Sequence, residues 1–374
     1  MNWQFFKELL EIDSTSGQER EVARWLLTQL EAPVMEPMEV GDGTLNLLLK
    51  WGSPKVVFCT HMDTVPPYVP PQFPEGMRSF VAKAPQDDMS ISPCHSERSE
   101  ESAITGRGSC DAKGQLFALY TACKELEAGG FTDFGLLLLS GEETGSWGAK
   151  AFSKTGFRAP FLIIGEPTEN KMVSASKGTK SYEIRFTGQA FHSGYPQYGV
   201  SAVDLFNQFY NALKAKDFGL DPKLGETTWN IGLLHSDNPQ NILSPELTCR
   251  LYFRTTFVSH QAVQDWMADQ AAPVAPDDVS PTTPAQTGGL AVTPNGVGDP
   301  PAHYMTLPGF PSAPVAFGSD APHLTGFGHK IICGPGSIRF AHRPDEHVLV
   351  RDLETAVAQY IRMYHALMVE DKRF

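Results

Sequence analysis

The stretch Thr60-His61-Met62-Asp63-Thr64-Val65 directly follows the apolar run Val56-Val57-Phe58-Cys59. That run has the length and the β-branched content of a buried strand. Because side chains alternate along a strand, His61 and Asp63 project to the same side at its carboxyl end, which is the edge where ligands bind in an open α/β sheet. An imidazole held by a carboxylate is typical of a metal ligand. Taken alone, however, a structural hydrogen bond is the simpler explanation of the pair.

The length of 374 residues exceeds the usual size of one hydrophobic core, so two domains are expected. The 43 acidic and 30 basic residues give a formal charge of −13, which argues against nucleic acid or an anionic membrane as a partner. The sequence contains neither a signal-peptide pattern nor an apolar run of the ~20 residues that a membrane span needs. Six scattered cysteines without a Cys-x-x-Cys pair favour reduced thiols and a cytoplasmic location.

Apolar runs with strand character alternate with helical periodicity along the first 173 residues. This alternation predicts an α/β fold with a mostly parallel central sheet. From residue 174 the order becomes strand, helix, strand, strand, helix, which suits a compact α+β unit inserted into the first domain. We therefore predict a first domain of residues 1–173 and 286–374, and an inserted domain of residues 174–285.

Two local patterns complete this organisation. Ser16-Gly17-Gln18-Glu19 has the spacing of a capping box and predicts the start of a second N-terminal helix. Residues 66–103 combine clustered prolines with a polar stretch that lacks apolar periodicity, which predicts an exposed loop insertion. A solvated loop explains His95 and the glutamates near it better than a ligand cluster does.

Histidine and acidic side chains stand directly after predicted strands or in glycine-rich turns at His61, Asp111, Glu142-Glu143, Glu166 and His342. Because the carboxyl ends of parallel strands meet at one edge of a sheet, we expect these groups to converge. Histidine nitrogens and carboxylate oxygens form a ligand set that suits Zn²⁺ or a similar divalent ion. Burying so many carboxylates together without a cation would be costly.

With these motifs the chain resembles the co-catalytic zinc amidohydrolases of the M20 peptidase clan, in particular the acetylornithine deacetylase and succinyl-diaminopimelate desuccinylase branch. The resemblance follows the chain in order through Thr60–Pro66, Gly106–Gly114, Glu142–Gly145, Gly165–Thr168 and Ala341–Glu346. Each motif alone is modest, but the five motifs in register are specific. The stretch 72–103 departs from the family pattern, because it is longer than the usual link between the first two motifs.

The resemblance implies a site with two Zn²⁺ ions, for which Co²⁺ can substitute. His61 and Glu166 would hold one ion, and Glu143 and His342 would hold the other. Asp111 would bridge both ions. These assignments belong to the family pattern and are carried over to the positions of this sequence that match it.

The same resemblance implies two further roles close to the metal ions. Asp63 would support His61, and Glu142 would be the general base that takes a proton from water and delivers it to the leaving amine. His347 lies five residues beyond His342. We prefer His342 as the ligand, because it occupies the family's His-x-Pro-Asp-Glu position.

In the inserted domain, Phe191–Pro196 matches the family's lid motif around His192. In dimeric members this histidine reaches the partner's active site and binds the scissile carbonyl as it becomes an oxyanion, which implies a homodimer through the inserted domain. Asn241 and Arg254 resemble the positions that hold a substrate carboxylate, a role that suits the guanidinium fork. A purely structural role in the lid is nearly as good an explanation of both.

Gly318, Ser319 and Asp320 resemble the loop that lines the family's substrate pocket, although an ordinary turn explains them as well. We therefore predict a zinc-dependent hydrolase that cleaves an N-acyl amino acid, with N-acetyl-L-ornithine as the leading substrate. An M20-type aminopeptidase or dipeptidase and a succinyl-diaminopimelate desuccinylase are the enzymatic alternatives. The alternative from another class is a catalytically silent binding protein that keeps the fold.

Overall fold

The computed structural model describes residues 1–41, 43–74, 77, 102–271, 288–296 and 298–370. Most of the predicted loop insertion, including Cys94 and His95, lies outside these residues. The chain forms two compact units. The first contains Met1–Ser174, Tyr304–Ala313 and Ser319–Phe374, and the second contains Ala175–His303 and Pro314–Gly318.

The first unit is built on a six-stranded sheet with the strand order β1-β2-β5-β3-β6-β16. Its strands are β1 (Val34–Gly41), β2 (Thr44–Trp51), β3 (Val56–His61), β5 (Phe134–Leu139), β6 (Ala159–Ile164) and β16 (Phe327–Ile332). Strands β5, β3, β6 and β16 pair in parallel, whereas β2 and β1 extend the sheet with antiparallel pairs. Every residue of β3 and β5 is buried, as expected for strands covered on both faces. The predicted α/β fold class is thus confirmed.

The first unit's helices are α1 (Trp3–Glu11), α2 (Arg20–Gln29), α3 (Lys113–Ala128), α4 (Trp147–Ser153) and α7 (Val350–Glu370). Helix α7 shows why these segments pack: its side chains at spacings of three and four residues are fully buried, namely Leu353, Ala356, Tyr360, Met363 and Leu367. Burying each large side chain of this kind contributes roughly 1.5–3 kcal/mol. A short antiparallel pair of β4 (Ala103–Thr105) and β17 (His347–Leu349) completes the unit.

The capping-box prediction at Ser16 and Glu19 is wrong. Helix α2 begins at Arg20, Glu19 occupies the N-cap position, and no side chain caps the helix there. The Ser16 hydroxyl donates instead to Asp63, and the Glu19 carboxylate accepts the backbone N–H of Gly17. A tertiary partner has therefore taken the Ser16 hydroxyl away from the local role that its spacing indicates, and Glu19 bonds the N–H of Gly17 within its own loop.

The second unit contains an antiparallel sheet with the order β11-β12-β8-β13. Its main elements are β8 (Gly178–Thr187), α5 (Ala202–Ala215), β11 (Thr228–His235), β12 (Glu246–Thr255), α6 (His260–Gln270) and β13 (Gly289–Pro294). Phe186, Phe209, Phe253 and Met267 lie in its core. Because β13 pairs with β8, this unit continues beyond residue 285, where we had placed its end.

Five short strands remain: β7 (Met172–Ser176), β9 (Leu220–Asp221), β10 (Gly225–Glu226), β14 (Ala302–His303) and β15 (Ser312–Val315). The cysteines of the described residues are buried and free of disulfide bonds: Cys59, Cys110, Cys123, Cys249 and Cys333. Within the same residues, no helix has both the length and the apolar character that crossing a membrane requires.

Candidate metal centre

Three candidate site residues follow three neighbouring parallel strands. His61 is the last residue of β3, Glu142 comes three residues after β5, and Glu166 comes two residues after β6. Strand β3 lies between β5 and β6 in the sheet. The carboxyl ends of these strands therefore bring residues that are far apart in sequence to one edge, where ligands of open α/β sheets bind.

His61 is buried and its ring is held from both sides. Its Nδ1 lies 2.9 Å from the backbone carbonyl oxygen of Asp63, and its Nε2 lies 3.1 Å from Asp111 Oδ1. Because a carbonyl oxygen can only accept, Nδ1 carries a proton, and Nε2 is the nitrogen that faces the acidic cluster. Burial works against a proton on both nitrogens, but the hydrogen bonds to Asp111 and Asp63 raise the pKa of His61 well above its ordinary value.

His342 approaches the same carboxylate from another direction. Its Nε2 lies 2.8 Å from Glu143 Oε1 and 3.3 Å from Asp111 Oδ2. Hydrogen bonds to Asp111 and Glu143 raise the pKa of His342 to about 10. Burial would raise the pKa of Asp111, but hydrogen bonds from His342 and His61 lower it to about 2. Asp111 thus presents one oxygen to each histidine.

Three overlapping groups of these side chains have ligand atoms within 4.8 Å of one another. The groups are His61 with Asp111 and Glu166, Asp111 with Glu143 and His342, and His61 with Glu142 and Glu143. Imidazole nitrogens and carboxylate oxygens suit a borderline divalent ion such as Zn²⁺. The shared Asp111 makes the first two groups a fitting pair of adjacent cation sites.

The electrostatics of the cluster favour a cation in the same way. Burial raises the pKa of Glu166 well above its ordinary value, and the nearby charges of Glu142 and Asp111 add to this effect. Burial also raises the pKa of Glu142, where Asp320, Glu143 and Asp111 add to it and His61 opposes it. Divalent cations would remove the mutual repulsion that holds these carboxyl pKa values up.

The turn that carries Glu142 depends on a glycine. Gly141 has φ of +70°, and a Cβ atom there would lie only 1.8 Å from Trp147 Nε1. The Trp147 ring therefore packs so closely on this turn that only glycine fits at position 141. Glu142 and Glu143 share one metal-ligating group with His61, and Glu143 alone belongs to a second group, with Asp111 and His342.

The Asp63 carboxylate holds this turn through two backbone hydrogen bonds. Its Oδ1 accepts the backbone N–H of Glu142 at 3.0 Å, and its Oδ2 accepts the backbone N–H of Glu143 at 3.1 Å. Burial would raise the pKa of Asp63, but hydrogen bonds from His61, Ser16 and the Glu142 amide bring it below its ordinary value. One buried carboxylate thus orients His61 and both glutamates, as partners of metal ligands commonly do.

Two buried residues that hold the Asp111 loop were missed at the sequence level. Glu346 Oε1 accepts backbone N–H groups from Gly108, Cys110 and Asp111 at 2.9, 3.1 and 3.1 Å. Its Oε2 accepts from the Arg107 guanidinium, and these two side chains are 0% and 2% exposed. Both residues lie inside motifs of the family resemblance, and that position was the only signal that could have found them.

Asp320 is the last residue of the predicted pocket stretch Gly318-Ser319-Asp320. It is 2% exposed, and its Oδ1 has no hydrogen-bond partner among the described residues. Burial raises the pKa of Asp320 to about 6, against the opposing charge of His61. Its neighbours Gly318 and Ser319 are predicted substrate-binding residues. Of these, Ser319 is buried and its Oγ accepts the Ala321 N–H, and Gly318 is exposed.

The residues predicted to belong to the lid lie in the second unit. The exposed His192 forms a β-bridge with Ile242, and the neighbouring Ser193 N–H donates to the Asn241 carbonyl at 2.9 Å. Arg254 lies over the Tyr252 ring at 5.1 Å, and a Cβ added at Gly318 would be 4.0 Å from its Nη1. The rejected candidate His347 belongs to β17 and packs on Phe340 with ring centroids 4.0 Å apart.

An imidazole and carboxylate cluster at the strand ends of an α/β sheet defines a candidate metallohydrolase site, and comparison with known proteins gives the family. A model described as the peptidase dimerisation domain matches residues 174–279. A probable carboxypeptidase of Aspergillus terreus is 31% identical and covers 97% of this chain and 86% of its own length. A peptidase M20 domain-containing protein of Schizosaccharomyces pombe is 30% identical, with coverages of 96% and 82%. The chain belongs to the peptidase M20 family.

A solved tripeptidase of Staphylococcus aureus has a TM-score of 0.67 over 95% of both chains. At 18% identity this similarity shows a shared fold. The two relatives named above are a probable carboxypeptidase and a peptidase M20 domain-containing protein. The narrower deacetylase and desuccinylase branch therefore stays a prediction.

Proposed function

We propose that this protein is a metal-dependent peptidase of the carboxypeptidase type, which hydrolyses an amide whose amine side carries a free carboxylate. The observation that carries the proposal is the cluster of His61, Asp111, Glu143, Glu166 and His342 around Glu142. A partly buried carboxyl group beside potential metal ligands is the arrangement that general-base hydrolysis of an amide needs.

In this proposal two divalent ions, zinc by preference and cobalt as a substitute, occupy the paired groups. His61 and Glu166 would hold one ion, Glu143 and His342 the other, and Asp111 both. When bound, such ions supply Lewis acidity, which polarises the scissile carbonyl and makes water more acidic. The proposal is supported by the donor set and by the repulsion between carboxylates that a cation would relieve.

Glu142 moves the proton. One of its Oε atoms would take a proton from the attacking water while the water oxygen forms a bond to the carbonyl carbon. The same Oε atom of Glu142 would then pass that proton to the amide nitrogen as the C–N bond breaks, so that the amine leaves neutral. Asp63 holds the backbone of Glu142 at 3.0 Å and thereby keeps the carboxyl group in place through both transfers.

Arg254 is our candidate for the residue that selects a free carboxylate. Its guanidinium is half-buried, and no carboxylate of the described residues forms an ion pair with it. A guanidinium fork binds a carboxylate through two parallel hydrogen bonds. Asn241 is proposed to assist. Peptides with a free C-terminus and N-acyl amino acids share this carboxylate, so N-acetyl-L-ornithine remains one candidate within the proposed class.

A homodimer through the second unit is part of the proposal. It is supported by the match of residues 174–279 to a peptidase dimerisation domain. The proposed function also includes a cytoplasmic location, which is supported by the free thiols of the described residues. Analytical ultracentrifugation of the full chain tests the dimer independently of any substrate.

The deciding experiment is a hydrolysis panel run with Zn²⁺, with Co²⁺ and with a chelator. The panel contains N-blocked dipeptides with a free C-terminus, the same dipeptides amidated, N-acetylornithine with other acetyl amino acids, and unblocked di- and tripeptides. We expect metal-dependent cleavage of substrates with a free carboxylate and at least a hundredfold preference over their amides. For such substrates Arg254→Ala should raise KM at least tenfold, whereas Arg250→Ala, an exposed position on the same strand, should not.

Other outcomes would overturn the proposal in distinct ways. Equal cleavage of amidated and free peptides would remove the carboxylate requirement. Cleavage restricted to unblocked peptides would indicate an aminopeptidase. Metal binding without turnover of any substrate would favour a catalytically silent member of the family.

A further inference from the structure

The segment Ser14–Glu19 runs alongside the end of strand β3. Thr64 N–H donates to the Ser14 carbonyl at 3.0 Å, and Ser16 N–H donates to the Thr64 carbonyl at 3.0 Å. The buried Ser14 hydroxyl adds a bond to the Met62 carbonyl at 2.8 Å. The segment is thus fixed to the backbone immediately after His61 by contacts that do not involve the metal ligands themselves.

From this position Ser16 reaches the carboxylate that organises the site. Its Oγ–H donates to Asp63 Oδ2 at 2.8 Å, the same oxygen that accepts the Glu143 N–H at 3.1 Å. Asp63 is 0% exposed, so its remaining bonding capacity has to be met by protein groups. Without the Ser16 hydroxyl, Asp63 would lose one of the donors that fix its orientation beneath Glu142 and Glu143.

Glu19 fixes the same segment at its other end. Its side chain is fully buried, and Oε2 accepts the Gly17 N–H at 2.8 Å. Oε1 has no hydrogen-bond partner among the described residues. Burial raises the pKa of Glu19, and the backbone N–H of Gly17 opposes this rise. The Glu19 carboxylate therefore fixes Gly17, the residue next to Ser16.

We propose that Ser16 and Glu19 are positioning residues of the metal centre: Ser16 holds the backbone of Glu142 and Glu143 through Asp63, and Glu19 holds Ser16 in place through Gly17. Their spacing imitates a capping box, yet no side chain caps α2. The inference rests on the proposed function for its kinetic consequences. Its consequences for metal affinity hold whatever the substrate is.

The first test compares Ser16→Ala with Ser16→Thr in the full chain. Loss of a bond to the partner of a metal ligand typically costs 10- to 100-fold in metal affinity or activity. We expect Ser16→Ala to weaken Co²⁺ binding about tenfold, measured by the visible absorption of bound Co²⁺. At saturating metal, kcat should fall about tenfold with KM within twofold. Ser16→Thr keeps a hydroxyl and should restore both values to within about threefold of wild type.

Thr28→Ala is the matched control. It deletes a hydroxyl on the exposed side of α2 that donates to the Trp25 carbonyl and accepts from the Gln29 amide, both within the helix. This variant should leave Co²⁺ affinity and kcat unchanged. Co²⁺ affinity and kcat of Ser16→Ala within twofold of wild type would overturn the inference for Ser16.

Glu19→Gln separates positioning from capping, because a capping box accepts Glu and Gln alike. The side-chain amide of this variant keeps one acceptor oxygen but replaces the other carboxylate oxygen with an NH2 donor. Positioning therefore predicts weaker Co²⁺ binding and a lower kcat, by about tenfold each. A wild-type Co²⁺ affinity in Glu19→Gln would overturn the inference for Glu19.

Failure of the proposed function would look different. If wild type binds Co²⁺ but hydrolyses no member of the panel, the proposed function fails. The Co²⁺ titrations of the Ser16 and Glu19 variants would then still decide the inference.

Discussion

Glu346 Oε1 accepts the backbone N–H of Asp111 at 3.1 Å, although the two residues are 235 positions apart. The same side chain pairs through Oε2 with the buried Arg107. Arg107 in turn donates to the Arg343 carbonyl at 3.3 Å, next to His342. The loops that carry Asp111 and His342 are therefore tied together by one buried ion pair.

This relationship predicts a defect in metal binding when Glu346 loses its charge. Glu346→Gln leaves the Arg107 guanidinium buried without a counter-charge, and breaking such a pair typically costs about 3–5 kcal/mol. We expect the free energy of unfolding to fall by that order and the metal dissociation constant to rise about 10- to 100-fold. Urea unfolding and competition with a chelator measure the two effects.

Glu125→Gln is the control, because Glu125 is exposed on α3 of the same unit. It should change neither quantity. Wild-type metal affinity in Glu346→Gln would mean that the Asp111 loop keeps its geometry without the ion pair.

Glu142 and Glu143 are adjacent but should respond oppositely to substitution. Glu142→Ala should keep both metal ions and lose about 10²–10⁴-fold in kcat, because it removes only the proposed base. Glu143→Gln should instead lose metal, since Glu143 belongs to two ligating groups, including the one with Asp111 and His342, whereas Glu142 belongs to one. Metal analysis after dialysis and steady-state kinetics on the best panel substrate separate the two. Activity of Glu142→Ala within tenfold of wild type would rule out Glu142 as the base.

The parts of this fold that could be predicted are those whose signal is local. The buried strands β3 and β5 are unbroken apolar runs, and the histidine or acids directly after them could be assigned to a common edge from the sheet topology alone. The edge strand β1 escaped prediction because it contains Pro37 and alternates between exposed and partly buried positions. Strand β13 escaped for a similar reason, since none of its residues is buried.

The candidate site also contains residues with a local sequence signal and residues without one. The candidate ligands stand out because each follows a strand or a glycine-rich turn, whereas Glu346 acts only through a long-range return of the chain to Gly108 and Asp111. The pair Ser16 and Glu19 was misinterpreted for the opposite reason. The spacing of a capping box was present, but the Ser16 hydroxyl bonds Asp63 of the metal centre and the Glu19 carboxylate bonds the Gly17 N–H.

His192 yields a prediction from its tautomer. The Gly194 N–H donates to His192 Nδ1 at 3.0 Å, so Nε2 carries the proton and is free to donate. A donor to a developing oxyanion is typically worth about 10²–10³-fold in kcat. We expect His192→Ala to lose that factor with metal content unchanged, because His192 belongs to none of the metal-ligating groups.

His235→Ala is the comparison for His192→Ala, as it removes another exposed histidine of the second unit. Its kcat should equal that of wild type. An unchanged kcat in His192→Ala would show that this histidine plays no part in the reaction.

Asp221 offers a test of stability that is independent of the metal centre. Its Oδ1 accepts the backbone N–H groups of Lys223 and Leu224, each at 2.9 Å, in the turn between β9 and β10. Burial would raise the pKa of Asp221, but the N–H groups of Leu224 and Lys223 bring it below the ordinary value. The folded chain therefore binds this proton more weakly than the unfolded chain does.

The sign of the pH dependence follows from linkage. The ionised Asp221 contributes stability that is fully present above the unfolded pKa of about 3.9, and this contribution is lost as the pH falls below that value. Asp221→Ala leaves two amides unpaired and should cost about 1–3 kcal/mol at pH 7. Asp221→Asn keeps an acceptor but cannot ionise, so its deficit relative to wild type should shrink between pH 5 and pH 3 in urea unfolding. A deficit that stays constant over that interval would mean that the Asp221 pKa is the same in the folded and unfolded chains.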